Sequence, residues 1–377
     1  MIVFIRSKDF NPDPRFFKYT YALSKNNIKY LIIGWDRDGC GFKNKGAYYF
    51  NKRAKYGSKY KNLFNKIIWM LYVIKTLFSI RNKIKIIHAA DFESALPAMI
   101  FSKLCRKKLI FDVCDWIGNS SKTDPLLVKI IEKLENIIAY NADAIILCEQ
   151  ERLNQISEKN LKRVLIMPNI PQLDEEKKHT VFIHQGSRKN VNYELVLSYV
   201  GIFDYNRGIE NLIELIVNNR DILLLIAGYG GLENLIIEAS ENNDNIIYFG
   251  KVDHDRALDL ISVSDLLYAC YHRTNPVHKY AAPNKFYESL ICSTPIITTK
   301  STLVGNKVDK YNTGYAIGES YKDLQNLTRS DYLRNSIKTK QSNCKDVWIR
   351  NFKDYIPKFM KNEYIPLLEE LGKEGLN

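Results

Sequence analysis

Short runs of β-branched and aliphatic residues alternate along this chain with longer segments that carry apolar residues at helical spacing. Eleven of the short runs predict strands, and intervening segments such as 15–26, 92–103, 124–140 and 210–218 predict helices. The predicted strands are 2–5, 30–34, 84–88, 109–112, 144–147, 164–167, 195–200, 222–227, 246–249, 266–269 and 295–298. Strands that alternate with helices build βαβ units, whose parallel sheets carry helices on both faces. An α/β protein is therefore expected.

Eleven strands are more than one open sheet usually holds, and they fall into two sets. Between Pro168 and Tyr193, two prolines are followed by polar residues, in the passage PQLDEEKKHTVFIHQGSRKNVN, which predicts a linker. We therefore expect a first domain at 1–180, a second at 190–345, and helices at 346–377 that pack back on the first. Ligands of such sheets bind beyond the carboxyl ends of the strands, so two facing domains place a ligand in the cleft between them.

The positive charge of the chain is concentrated in one segment. The formal net charge is +13, yet residues 39–90 contain twelve Lys and Arg residues and no Asp or Glu. Within the segment 43–85, basic residues alternate with bulky apolar ones such as Trp69 and Phe78, which is typical of a helix on an anionic membrane surface. The alternative is a core helix with a solvated basic face. Nucleic acid is not expected as a partner, because the rest of the chain is nearly neutral.

Cysteine usage and apolar runs predict the compartment. The seven cysteines are scattered singly, which is typical of reduced thiols in a cytoplasmic protein. The first apolar run has five residues before Arg6, which is too short for a signal peptide. The longest, 67–80, contains Lys75 and is shorter than the ~20 residues that span a bilayer. We expect no leader and no spanning segment.

The segment PNKFYESLICSTPIITT, from residue 283, is the richest candidate for a site. Pro283 favours a first helical turn, and the free amides of that turn together with Asn284 and Lys285 suit an anion such as a phosphate. Glu288, one turn further along, is placed to accept hydrogen bonds from two hydroxyl groups of a ribose or sugar. The alternative is a capped surface helix with a solvated Glu288.

The segment VGIFDYNRG provides a second candidate. A predicted strand ends at Gly201, where the backbone can approach a ligand closely, and Arg207 follows just before a helix. Arginine has a planar fork of donors that grips phosphate, although a lone loop arginine is also consistent with a solvated charge.

The segments IAGYGG and FGKV end two further predicted strands. A dinucleotide-binding G-x-G-x-x-G pattern would need its third glycine at Glu233, so the first segment fails that pattern by one residue. It predicts instead a glycine turn with open amides at Gly228, Tyr229 and Gly230. The second segment places Lys251 after its strand.

The four candidate segments occur along the chain in the order VGIFDYNRG, IAGYGG, FGKV and PNKFYESLICSTPIITT. Together they resemble the donor-binding half of retaining, family 4-like (GT4) glycosyltransferases of the GT-B fold. The resemblance is to members of the bacterial surface polysaccharide type. The resemblance implies two Rossmann-like domains with parallel sheets facing across a cleft, and a C-terminal helix that crosses back to the first domain. It implies a UDP- or GDP-linked sugar donor, with the diphosphate on Arg207 and Lys285 and the ribose on Glu288. The implied donor site comprises Gly201, Arg207, Gly228, Tyr229, Gly230, Lys251, Asn284, Lys285 and Glu288.

A weaker likeness to the same family extends through the first domain, in NPDPR, IIHAAD and LIFDVCDW. It implies acceptor-side roles for the residues Arg15, His88, Asp91 and Asp112. Asp91 and Asp115 join Arg207 and Lys285 as catalytic candidates, whereas a turn-capping role is the alternative for Asp112.

The chain departs from the family pattern at three positions. Tyr280 stands where many members have a Glu that contacts the donor sugar, Ile202 where many have an Arg, and Cys114 where many have a His. Sugar recognition is therefore expected to differ. Asp36-Arg37-Asp38 has the spacing of a metal-binding DxD motif but follows a strand of the first domain, so we expect neither a metal nor a cofactor.

Together these features predict a metal-independent glycosyltransferase of the hexosyltransferase type, cytoplasmic and peripheral at the inner face of the cell membrane. It would transfer a sugar from a nucleotide-sugar to a glycan or lipid-linked glycan in capsule, O-antigen or exopolysaccharide biosynthesis. The alternatives are a nucleotide-sugar epimerase or hydrolase on the same fold, and a non-catalytic nucleotide-sugar-binding scaffold subunit.

Overall fold

The computed structural model describes residues 1–8, 13–37, 39, 46–53, 59–114, 116, 125–157, 160–171, 193–281 and 284–374. The chain divides into two compact units. Unit 1 comprises Met1–Asn169 and Tyr355–Asn377, and unit 2 comprises Ile170–Asp354. Most of the predicted linker, residues 172–192, lies outside the described residues.

Strands and helices alternate through both units. The strands are β1 (Ile2–Arg6), β2 (Tyr30–Trp35), β3 (Ala47–Phe50), β4 (Ile86–Ala90), β5 (Lys108–Val113), β6 (Ala144–Leu147), β7 (Val164–Ile166), β8 (Leu195–Phe203), β9 (Ile222–Gly230), β10 (Ile246–Tyr248), β11 (Leu266–Tyr268), β12 (Ile296–Thr299) and β13 (Gly314–Ile317). The α-helices are α1 (Pro14–Lys25), α2 (Lys59–Ser79), α3 (Phe92–Leu104), α4 (Pro125–Asn141), α5 (Ile209–Val217), α6 (Glu233–Asn242), α7 (His254–Ser262), α8 (Lys285–Ile291), α9 (Leu303–Tyr311), α10 (Tyr321–Thr328), α11 (Asp331–Val347), α12 (Tyr355–Phe359) and α13 (Ile365–Glu374).

The sheet of unit 1 contains seven strands in the order β3-β2-β1-β4-β5-β6-β7, all paired in parallel. Successive residues of a strand face opposite sides of the sheet, so each central strand supplies two cores. On one side, Val3 and Ile5 pack with residues of α2, α3 and α4. On the other, Ile2 and Phe4 pack with residues of α1 and α13. The C-terminal segment thus belongs to the core of unit 1.

The sheet of unit 2 contains six strands in the order β10-β9-β8-β11-β12-β13, again all parallel. Its apolar core includes Leu197 and Leu224 from the central strands and Leu212 and Ile216 from α5. In both sheets the order of strands reverses next to the first strand, which is the topology of a Rossmann-like domain. The carboxyl ends of β8, β9 and β11 therefore lie side by side, which brings the loops after them together.

All eleven predicted strands are present, and two further strands were missed. These are β3 and β13, each four residues long. Within the predicted helices at 346–377, Trp348–Phe352 is a π-helical turn, and α12 and α13 follow it. Among the described helices, none is both long and apolar enough to cross a membrane.

Candidate functional site

Arg207 lies at the end of a short 3-10 turn, Tyr205–Arg207, which follows β8. Asp204 precedes the turn, and its carboxylate accepts the N–H of Asn206 at 3.1 Å. Gly208 comes next with a φ of 65°, and a Cβ at this position would lie 2.6 Å from the hydroxyl of Tyr268. That hydroxyl donates to the carbonyl of Gly208 at 3.0 Å. Only glycine fits this conformation and this contact, so the turn that carries Arg207 is held in place.

The guanidinium group of Arg207 lies over the ring of Tyr271, 4.4 Å from its centre. Tyr271 is buried, and its N–H donates to Oγ1 of Thr299 at 2.9 Å. Burial raises the pKa of the Tyr271 phenol; Arg207 opposes this shift and Glu288 adds to it. Arg207 therefore contacts the ring of Tyr271, and Glu288 lies within electrostatic range of its phenol.

Glu288 lies in the first turn of α8 and is 2% exposed. Its carboxylate forms an ion pair with Nζ of Lys285 and lies 4.0 Å from Nδ1 of His254, at the start of α7. A buried carboxylate needs partners of this kind, because burial disfavours its charged form. The alternative in which Glu288 is solvated is therefore wrong.

The helix α8 begins later than its proline suggested. Lys285 is its first residue, and Asn284 precedes it without a capping hydrogen bond from its side chain. Pro283 lies outside the described residues. Asn284 itself is exposed, whereas the side chain of Lys285 is mostly buried against Glu288.

The glycines Gly228 and Gly230 lie within β9 and play a different part from the one predicted. Strand β9 continues through Gly230, so the expected glycine turn is wrong. Gly228 pairs with Gly201 of β8, and a Cβ on Gly228 would lie 1.8 Å from the carbonyl oxygen of Gly201. The N–H of Gly228 donates to the carbonyl of Gly250 at 2.8 Å, so this amide is not open to a ligand. These glycines allow close approach of two strands.

The side chains at this edge of the sheet are more accessible. Nζ of Lys251 lies 5.2 Å from the ring centre of Tyr229, and both residues are exposed. Ile202, which stands at the position where many family members have an arginine, is exposed as well. Tyr280 ends a 3-10 turn, Pro276–Tyr280, and its ring lies 5.2 Å from Nζ of Lys279.

Three acceptor-side candidates form a buried cluster in unit 1. Asp112 is fully buried and accepts from Nε and Nη2 of Arg15, at 3.0 and 2.7 Å, and from the hydroxyl of Tyr19 at 3.0 Å. His88 lies with Nε2 3.4 Å from the Asp112 carboxylate and Nδ1 2.7 Å from the hydroxyl of Tyr364. Because the carboxylate only accepts, Nε2 of His88 carries the hydrogen and Tyr364 donates to Nδ1. Asp112 therefore does not cap a turn; it holds α1, β4 and β5 together.

The pKa values of this cluster follow from burial and charge. Burial raises the pKa of Asp112, but the Arg15 guanidinium and hydrogen bonds from His88 and Arg15 outweigh it, so that this pKa is far below its usual range. Burial lowers the pKa of His88, and this effect outweighs the opposing effect of Asp112. The imidazole is therefore neutral at pH 7.

Asp91 precedes α3 with a φ of 59°, and its carboxylate lies 3.0 Å from Nη1 of Arg6. The same nitrogen lies 3.0 Å from Sγ of Cys114, the residue that stands where many family members have a histidine. The side chain of Asp91 is 13% exposed, compared with 7% for Asp13 and 0% for Asp112. Asp115 lies outside the described residues, as does Asp38 of the DxD-like segment.

The sequence analysis missed three residues near Arg207 and Glu288. These are Tyr271, His254 and His278. His278 is buried, its Nδ1 lies 2.8 Å from the carbonyl oxygen of His272, and burial, with Arg207 nearby, lowers its pKa to about 4. The aromatic run YACYH after β11 was the available signal. Among the described residues, no group of three His, Cys, Asp or Glu side chains suits a metal ion.

Comparison with known proteins shows what this region is similar to. The family profile described as "Glycosyl transferases group 1" matches residues 179–341, which include Arg207, Lys285 and Glu288. The second unit is thus similar to glycosyl transferases of group 1. An uncharacterized glycosyltransferase, MJ1069 of Methanocaldococcus jannaschii, is 26% identical over 226 residues, which are 54% of this chain and 55% of the relative. The chain spans about half the length of this curated relative.

Solved structures match almost the whole chain. Sucrose-phosphate synthase from Thermosynechococcus elongatus aligns with a TM-score of 0.72 at 14% identity, over 98% of this chain and 99% of that chain. Anabaena HepE in complex with UDP-glucose aligns with a TM-score of 0.68 at 13% identity, over 97% and 99%. These matches confirm the predicted fold class, that is, the two Rossmann-like units with parallel sheets of the GT-B fold.

Proposed function

We propose that this chain is a glycosyltransferase that moves a sugar from a nucleotide-sugar donor to a glycan or lipid-linked glycan acceptor. The observation that carries the proposal is the ion pair of Lys285 with the buried Glu288, together with the contact of Arg207 on the buried ring of Tyr271 in the same unit. A buried carboxylate paired with one cation, and a second cation in the same unit, match a nucleoside diphosphate, which presents an anion and a ribose diol. The group 1 match over the same residues supports this assignment.

In the proposed donor complex, the ribose hydroxyls bind the Glu288 carboxylate, and the diphosphate contacts Lys285 and Arg207. Lys285 forms an ion pair with Glu288, so binding of the diol and the diphosphate redistributes this pair. The buried ring of Tyr271 holds the guanidinium of Arg207 in place through a cation–π contact.

The proposed reaction requires no group beyond these cations. The bond between the anomeric carbon and the departing phosphate oxygen breaks, and a bond to the acceptor oxygen forms. Negative charge develops on the leaving nucleoside diphosphate, and Arg207 and Lys285 stabilise it. A phosphate oxygen then takes the proton of the acceptor hydroxyl, and the sugar keeps its configuration. We propose a hexosyl transfer of this metal-independent kind, with Asp91 and Asp115 near the acceptor.

The donor is proposed to be UDP- or GDP-linked. The presence of UDP-glucose in the similar HepE structure supports a nucleotide-sugar donor. The departures at Ile202 and Tyr280 leave Arg207 and Lys285 as the main cations and imply a sugar contact different from that of many family members.

The setting is proposed to be capsule, O-antigen or exopolysaccharide biosynthesis at the cytoplasmic face of the cell membrane, with the segment 43–85 as the contact. Of this segment the structure describes residues 46–53 and 59–85. On α2, the apolar side chains of Phe64 and Leu71 are exposed, which supports contact with a lipid surface.

Calorimetric titration of a nucleoside diphosphate into the Glu288→Ala variant tests the proposed site. We expect the affinity to fall about 100-fold, because two hydrogen bonds from a diol to a charged acceptor are lost. The Glu238→Ala variant, altered at an exposed carboxylate on α6, serves as the matched control and should bind as the wild type does. An unchanged dissociation constant in Glu288→Ala would remove Glu288 from the site.

Consumption of the donor by the wild-type protein, measured with and without an acceptor, separates the alternative functions. A transferase consumes the donor mainly when an acceptor is present, whereas an epimerase or hydrolase consumes it without one. A scaffold subunit would bind the nucleotide but consume no donor under either condition.

A further inference from the structure

The helix α2 is apolar on two opposite sides. One side packs into the core of unit 1 through Trp69, Val73 and Leu77. The opposite side carries Ile67 and Leu71, and the side chain of Leu71 is 61% exposed. A helix that is apolar all round normally has both sides covered. The outer side of α2 therefore carries apolar residues beside Lys75, more than a surface in contact with water alone normally has.

Two neighbouring helices share this property. On α3, Ile100 and Leu104 are exposed, Leu104 by 70% of its surface. On α4, the exposed apolar residues include Ile130, at 48%, and Ile137. In unit 2, by contrast, α5, α6 and α11 each expose a single large hydrophobic residue. Outward apolar residues are thus frequent on α2, α3 and α4; α1, which contributes to the other core of unit 1, also exposes Phe17 and Tyr21.

These three helices form one layer. α2 packs against α3 and α3 against α4, and all three contribute buried residues to the same core on one side of the sheet. The rings of Phe78 on α2 and Phe101 on α3 meet edge to face, with centres 5.0 Å apart. Their outward residues therefore belong to one surface. We call it the three-helix surface, defined by Ile67, Leu71, Ile100, Leu104, Ile130 and Ile137.

The exposed charges on these helices all have one sign. Among their described side chains, the exposed charged residues are Lys75, Lys103, Lys129 and Lys133. The acidic residues are turned inward or partly covered: Glu93 is buried and paired with Lys66, Glu135 is fully buried, and Glu132 is partly covered. An apolar surface that carries lysines and no exposed carboxylate is complementary to an anionic bilayer. Its apolar side chains suit the acyl boundary, and its lysines suit the lipid phosphates.

We propose that the three-helix surface docks unit 1 on an anionic lipid bilayer, so that α3 and α4 share the contact with α2. The docking is inferred from the exposure of these apolar residues and from the positive charge of the exposed lysines beside them. Its purpose, to bring a lipid-linked acceptor to the enzyme, rests on the proposed function. A large exposed apolar patch on a soluble domain commonly marks such a docking site.

Vesicle co-sedimentation of the full chain tests the proposal. We expect binding to vesicles of equal parts phosphatidylglycerol and phosphatidylcholine, and much weaker binding to phosphatidylcholine alone. The triple variant Leu71→Ser, Leu104→Ser, Ile130→Ser should bind about 50-fold more weakly, because three apolar side chains no longer enter the lipid. The Ile237→Ser variant, altered at an exposed apolar residue of α6, is the matched control and should bind normally.

A charge-reversal variant tests the second part of the inference. The charge-reversal variant, which combines Lys103→Glu, Lys129→Glu and Lys133→Glu, should lose the preference for anionic vesicles. We expect its affinity for these vesicles to fall at least fivefold for each lysine replaced, which is roughly the contribution of one basic residue near a charged surface. Equal binding of the wild type and both variants would overturn the proposal.

Two further measurements keep the outcome clear. Sedimentation equilibrium without lipid should show the same oligomeric state for the wild type and the triple variant. A wild-type dimer that the triple variant converts to a monomer would contradict the proposal, since the surface would then be covered by a second copy. Nucleoside diphosphate affinity and thermal unfolding should be unchanged in the triple variant, which separates a failure of docking from a failure of the donor site or of folding.

Discussion

Replacing Lys285 by Met is expected to lower kcat for sugar transfer by about 10³-fold, because the variant lacks a cation that stabilises the negative charge developing on the leaving diphosphate. Glu288 pairs with Lys285, and the side chain of Lys285 is mostly buried, so water cannot easily replace its charge. Methionine keeps the unbranched stem and lacks only the charged group. The change in KM should be smaller than the change in kcat, since the charge on the leaving group grows toward the transition state.

Two variants serve as comparisons for this experiment. Lys322→Met alters an exposed lysine of α10 and should leave kcat unchanged. Arg207→Met should lower kcat in the same way as Lys285→Met, and the double variant should lose less than the sum of the two if both cations act on one diphosphate. A kcat for Lys285→Met within twofold of the wild type, with normal folding, would remove Lys285 from the reaction.

Replacing Asp112 by Ala is expected to lower the free energy of unfolding of unit 1 by about 3–5 kcal/mol, because it leaves the buried guanidinium of Arg15 without its counter-ion. Asp112 is fully buried and also holds Tyr19 and His88. Its folded pKa lies below its unfolded value, so its stabilisation is complete at pH 7 and is lost as the pH falls below about 4. The variant should therefore lack this acid-dependent loss.

Urea unfolding followed by tryptophan fluorescence measures this effect. In a Trp348→Phe background, the remaining tryptophans all belong to unit 1, namely Trp35, Trp69 and Trp116. The control variant Glu370→Ala breaks an exposed ion pair with Arg163 in the same unit, and it should cost less than about 1 kcal/mol. Equal stabilities of Asp112→Ala and this control would show that the buried cluster does not stabilise the unit.

The strands that the sequence predicted are those with continuous β-branched or aliphatic runs. The strand β3 was missed because Ala47–Phe50 contains no such run, and β13 because Gly314–Ile317 is short and begins with glycine. Strands β8 and β9 extend three residues past their predicted ends. The glycines at these strand ends allow β8 and β9 to pair closely. This pairing is a tertiary contact, and the local sequence pattern does not distinguish it from a turn.

In the candidate site, too, contacts between residues close in the sequence were predicted, whereas contacts between distant residues were not. Lys285 and Glu288 were found because one helical turn separates them, so their pairing is visible in the sequence. Tyr271 comes close to Arg207 only through the order of the strands, and no spacing in the sequence predicts this contact. The pair of Arg15 and Asp112 is likewise separated by 97 positions, so its burial emerges only from the fold.

The central claim is that unit 2 binds a nucleoside diphosphate through Arg207, Lys285 and Glu288. Thermal unfolding of the wild type with UDP, GDP and the corresponding nucleosides tests it most directly, because a ligand that binds only the folded state raises Tm. At 100 times the dissociation constant, the expected stabilisation is about 2.7 kcal/mol, which is a shift of several degrees. We expect one of the two diphosphates to raise Tm and its nucleoside to have little effect. No shift with either diphosphate, or equal shifts with the nucleosides, would contradict the account.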